Sequence, residues 1–190
     1  MMDRLIQFVI CRYHEIPTSV AVGIPVVFCV GTILLLAFLG AKKGFRWSAG
    51  LLLLEYLFLL LLLSVLTRTT QAARSFNFTP FWSYRAIHEG RIDLLTQNIA
   101  NVGAFIPIGL LLGCAFGNVK WWQVLLVGGV FSVLIETLQF VLKRGFTEFD
   151  DVWHNVVGCM IGWGVYVWIV YLIKKIAKNR IEKVVTFNPN

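Results

Sequence analysis

Long uncharged runs alternate along the chain with short polar clusters, and the length of the runs decides what they are. A hydrocarbon core of about 30 Å is crossed by about 20 apolar helical residues. Five stretches meet that requirement, roughly 17–40, 47–67 interrupted by Glu55, 95–117, 121–142 interrupted by Glu136, and 152–173. Lipid offers no partner for free amide and carbonyl groups, so each stretch must be helical. The pattern predicts an all-α polytopic membrane protein with about five transmembrane helices, a single membrane domain over residues 1–190. Residues 75–84 gather aromatics around Pro80 and residues 85–91 turn polar. They predict an interfacial or re-entrant segment followed by a short helix, between the second and third spans. A simple aromatic belt is the alternative.

Polar positions inside the runs follow helical spacing. Ser132, Glu136 and Gln139 recur at i, i+4 and i+7, which stacks them on one face. Asn98 and Asn101 continue to Phe105 in the same way. In the last run His154 follows Asp150, and Asn155 follows Asp151, each by four residues, and Asn155 leads into Gly158 and Gly162. Pro107 interrupts a hydrogen-bond ladder, while Gly109 and Gly113 form a small-xxx-small face suited to close helix approach. Polar turns therefore precede or follow glycine-rich seams.

Composition agrees with a lipid solvent. The 190 residues are 58% hydrophobic and 14% charged, more apolar surface than a soluble domain of this size could hide. The net charge of +7 is spread in short clusters between spans, which does not resemble a nucleic-acid binder. Cys11, Cys29, Cys114 and Cys159 lack the spacing of a disulfide framework or zinc site and read as small buried side chains. The first run is too long for a signal-peptide core and ends in Lys42 and Lys43 without a small-residue cleavage motif, so it is expected to remain as an anchor.

Basic residues near the membrane favour the cytoplasm. Lys42, Lys43 and Arg46 in the first loop and Lys174, Lys175, Lys178, Arg180 and Lys183 in the tail fall on one side if there are five spans. The amino terminus is then outside and the carboxyl terminus cytoplasmic. With that topology the three polar stripes all reach the outer leaflet. They predict one outward pocket built from Asn98, Asn101, Glu136, Gln139, Asp150, Asp151 and Asn155, with Arg144 at its rim. Glu55 belongs to another environment, nearer the cytoplasmic half of its span. A charged group in a span costs about 2.5–3.5 kcal/mol on insertion scales, so Glu55 and Glu136 need partners or water. The plainer reading is that these groups only join helices, with Arg144 pairing with Glu148 or Asp150 across a turn.

The same stripes carry a family resemblance. The blocks Asn101-Val-Gly-Ala-Phe-Ile-Pro-Ile-Gly109, Ser132-Val-Leu-Ile-Glu-Thr-Leu-Gln139 and Arg144-Gly-Phe-Thr-Glu-Phe-Asp-Asp-Val-Trp-His-Asn-Val-Val-Gly158 resemble the VanZ-like family of bacterial membrane proteins. A fourth, Asn77-Phe-Thr-Pro-Phe-Trp-Ser-Tyr84, is similar to the family's pre-helix stretch. The motif region covers residues 67–164. The resemblance implies a protein of the bacterial cell membrane linked to reduced susceptibility to glycopeptide antibiotics, chiefly teicoplanin.

Three functions compete. In the first, a non-enzymatic envelope protein binds the headgroup of a membrane lipid or lipid-linked cell-wall precursor, or the glycopeptide itself, with Arg144 suited to phosphate or carboxylate. The second is an intramembrane enzyme acting on a lipid-linked substrate, with Glu136 or Asp151 as general acid or base. Against it, the sequence contains no nucleophile–histidine arrangement or phosphate loop. The third is a small lipid transporter. No cofactor or metal is expected, because Asp150, Asp151 and His154 supply too few ligands for a cation and His154 alone argues for neither metal nor catalysis.

Overall fold

Leucine-rich runs flanked by loop residues give four long helices in the computed structural model, which describes residues 45–66, 68 and 70–187. They are α1 (Phe45–Leu66), α3 (Asp93–Phe116), α4 (Trp121–Val141) and α5 (Phe149–Phe187), with a short α2 (Trp82–His88) between α1 and α3. All four long helices are apolar enough to cross a membrane. Their outer faces expose Leu51, Leu54, Phe58, Val130, Leu134 and Trp168, side chains that acyl chains solvate and water does not. The protein is an all-α polytopic membrane protein. The run at 17–40, and with it Cys11 and Cys29, lies outside the described residues. Among the described residues Cys114 and Cys159 are free thiols.

The centre of the molecule is a seam between α3 and α5 in which glycine lets backbones touch. A Cβ at Gly109 would stand 1.8 Å from the Cys159 carbonyl oxygen, one at Gly158 2.2 Å from that of Val102, and one at Gly162 1.9 Å from that of Ile106. Without a hydrophobic drive between helices in lipid, such close packing is what holds a bundle together. Helix α1 packs on the other side of α3 through the buried Ala49, Leu53, Tyr56 and Leu60. Pro107 lies inside α3 and deprives one carbonyl of its usual donor. One residue from that carbonyl, the Tyr56 hydroxyl donates to the Ala104 oxygen at 2.8 Å.

At one end of the bundle two loops are stitched together. Strand β1 (Phe76–Asn77) pairs in parallel with β2 (Thr147–Glu148), and Thr70 bridges Arg144 in antiparallel fashion. Gln71 N–H donates to the Lys143 carbonyl at 2.8 Å, and Thr147 N–H to that of Ser75 at 3.1 Å. The turn after α4 needs left-handed backbone at Lys143 (φ 54°) and Gly145 (φ 77°). At the opposite end Arg46 donates to the carbonyls of Ala115 and Phe116, Trp163 to Val119 and Tyr166 to Gly117. These bonds cap the end of α3 and the following loop, where the Phe116 carbonyl also takes the Asn118 N–H.

Two boundaries differ from the hydropathy reading. The last helix starts at Phe149, not near residue 152, because Asp150 and Asp151 fall in its first turn, where carboxylates suit the helix dipole. It then continues for 39 residues, about 58 Å at 1.5 Å per residue, well past the bilayer. Glu55 is exposed on the outer face of α1, apart from the polar groups described next.

Candidate functional site

Asp150 organises the stitched end. One carboxylate oxygen accepts from the Phe81 N–H at 2.6 Å, and the other from the Ser83 N–H at 2.9 Å and the Ser83 hydroxyl at 2.7 Å. Phe81 has left-handed backbone (φ 59°), a costly conformation for a bulky residue, and Asp150 grips the amides on either side of Trp82. Asn98 donates to the same Ser83 hydroxyl at 3.2 Å. The interfacial segment is thereby tied to both α3 and α5. Beside it the Tyr84 hydroxyl lies 2.8 Å from His154 Nε2.

The neighbouring α4 stripe is equally engaged. Asn155 donates to the Ser132 hydroxyl at 2.8 Å, Glu136 accepts from the Glu148 N–H at 3.1 Å, and Gln139 donates to the Ser64 carbonyl at 2.8 Å. Asp151 meets Arg68 at 3.7 Å, and Gln97 and Asn101 of α3 stand beside its carboxylate. Ser83, Asn98, Ser132, Glu136, Gln139, Arg144, Thr147, Glu148, Asp150, Asp151, His154 and Asn155 are all buried. The structure thus gathers the three sequence stripes at one end of the bundle.

Arg144 departs from expectation. It is only 4% exposed rather than at a rim, and its guanidinium reaches the Arg68 carbonyl at 3.4 Å. The ion pair of Asp151 is made with Arg68, a residue outside the three polar stripes. Ser83, Thr147 and Glu148 were also missed as members of the cluster. Their partners are remote in sequence, and only the aromatic block around Pro80 hinted that residues near 83 fold inward.

The cluster has more acceptors than donors. Four buried carboxyl groups, those of Glu136, Glu148, Asp150 and Asp151, lie there with the buried Arg144 and with Arg68, which pairs with Asp151. Asn101 Nδ2, Gln139 Oε1, Asp151 Oδ1, His154 Nδ1 and Asn155 Oδ1 are buried with no hydrogen-bond partner among the described residues. Native interiors pair nearly all such atoms, so five together mark a place where polarity exceeds structural need. Burial pushes the Glu148 carboxyl up to about 7; the Asp151 charge adds to this, while the Trp82 indole bond and Arg68 oppose it. Among the described residues no three His, Cys, Asp or Glu side chains are grouped to hold a metal ion.

A groove of about 300 Å³ reaches the cluster from the side, lined by Val133, Glu136, Thr137, Phe140, Glu148 and Phe149 among others. Val133 and Phe149 are half-exposed on the outer surface. Access is therefore lateral, between α4 and the start of α5, and Asn98, Asn101 and Asn155 do not line it.

Comparison with known proteins gives the same neighbourhood of sequence. The VanZ/LLP1 family model matches residues 47–172, a stretch that includes every residue of the cluster. Protein VanZ of Enterococcus faecium is 34% identical over 93 residues, 49% of this chain and 53% of that protein. The match thus spans about half the length of that curated relative. No solved structure matches.

Proposed function

Because the chain belongs to the VanZ/LLP1 family, we propose that it is a bacterial cell-membrane protein that lowers susceptibility to glycopeptide antibiotics of the teicoplanin type. In this reading the polar cluster holds the headgroup of a membrane lipid or of a lipid-linked cell-wall precursor, and so limits what the antibiotic can reach. The observation that carries it is the excess of buried, unpartnered polar atoms in a bundle whose surroundings are lipid. Polar groups kept inside a membrane at this cost are typically functional. Positive-inside bias supports an outward cluster, since Arg46 and the basic tail lie at or toward the other end.

The test is antibiotic susceptibility of a host expressing the chain at matched membrane levels. Glu136→Gln and Asp151→Asn should each restore teicoplanin susceptibility, and unchanged resistance in both would refute the reading. An enzyme using Glu136 or Asp151 as acid or base is separated by incubating purified protein with lipid-linked precursors and following their masses.

A further inference from the structure

We infer that the lateral groove takes the primary ammonium of an amine-bearing phospholipid, seated between Glu136 and Glu148. This deepens the headgroup reading and rests on it. Both residues line the groove and both are more than nine-tenths buried. Among the described residues each side chain is engaged through a single oxygen: Glu136 Oε2 accepts from the Glu148 N–H, and Glu148 Oε2 from the Trp82 indole at 3.2 Å. One oxygen of each carboxylate is left to accept a further donor. Elsewhere in the cluster, Gln139 Oε1 and Asn155 Oδ1 are also buried acceptors with no partner among the described residues. A site short of donors selects a ligand that brings them, and an ammonium brings three with a positive charge.

The walls suit the rest of such a lipid. Phe78, Phe140, Phe149 and Val152 line the groove, and its mouth lies on the apolar outer surface beside Val133, where a ligand with acyl chains can enter without leaving the bilayer. Aromatic faces also favour a desolvated cation. Arg74 stands over the Phe140 ring, 5.4 Å from its centroid, and places a positive charge near the groove for the phosphate that accompanies an amine headgroup. An anionic headgroup would instead bring its charge against Glu136 and Glu148.

Competition on the purified full chain in detergent, read by native mass spectrometry, tests the inference. Dioleoyl phosphatidylethanolamine should bind about tenfold more tightly than dioleoyl phosphatidylglycerol or the N-acetylated ethanolamine lipid. Glu148→Gln and Glu136→Gln should each reduce that preference, and Val133→Trp, which fills the groove from its outer side, should abolish binding of the amine lipid. If phosphatidylglycerol or the N-acetyl lipid binds as well as the amine and Val133→Trp blocks all of them, the ammonium inference is overturned while the headgroup reading stands. If calcium ions displace the amine lipid stoichiometrically, the carboxylates form a metal site and the inference is again overturned. If no lipid binds saturably to a folded, monodisperse wild-type chain, both fail.

Discussion

The two ends of the bundle use polar side chains in opposite ways. Around the α3–α4 loop, Arg46, Trp163 and Tyr166 each donate to a backbone carbonyl of the helix end or the loop. Around α2, Asp150 performs the same service for Phe81 and Ser83, but Gln139 and Asn155 keep buried oxygens with no partner among the described residues. Structural need accounts for the first end completely and for the second only in part. The surplus separates a site from helix-joining polarity, and mutation should treat the two ends differently.

The largest effect should come from the seam they share. Gly162→Leu drives a side chain into the Ile106 carbonyl, and should destabilise by about 3 kcal/mol or more. Both ends should be lost together, visible as aggregation on gel filtration in detergent. Asp150→Ala is next. It strands two amides and a hydroxyl, costs about 3 kcal/mol, and should open the segment around α2 to protease while the α3–α4 loop stays protected. Uniform protection would erase the contrast drawn between the ends.

Arg46→Ala and Asp151→Asn form the sharpest pair. Removing Arg46 should lower stability by about 1–2 kcal/mol and leave teicoplanin susceptibility unchanged at equal expression. Asp151→Asn keeps the shape but takes the carboxylate from the partly exposed Arg68, so stability should fall by about 1–3 kcal/mol, and resistance should disappear. The reverse result would assign function to the wrong end. A further contrast concerns the pH response of Glu148. Its carboxyl, ordinarily near 4.5, is held up to about 7 by burial, so the folded state binds the proton more tightly than the unfolded one. That contribution is complete below pH 4.5 and is lost as pH rises from 4.5 to about 7. Thermal unfolding across that window should show the decline, and Glu148→Gln should flatten it.

Much of this was legible in the sequence because lipid imposes simple rules. Run length gave the helices, and the spacing of Gly109, Gly158 and Gly162 anticipated their contact, since only small residues allow backbones to meet. The recurrence of Ser132, Glu136 and Gln139 put three polar groups on one face for a geometric reason that tertiary structure does not alter. Arg144 was misplaced because an arginine in a loop usually reaches water; here the paired loops β1 and β2 enclose it. Arg68, Ser83 and Glu148 lay beyond any local pattern. Their contacts with Asp151, Asp150 and Trp82 join positions 66 to 83 residues apart, and helical periodicity says nothing about such pairs.

The length of α5 gives the acidic turn a mechanical connection. Asp151 and Asn155 sit at the start of the same unbroken helix that leaves the membrane with Lys174, Lys175 and Lys178 on it. No proline interrupts it between the two. The basic arm and the acidic turn therefore share one uninterrupted hydrogen-bonded ladder.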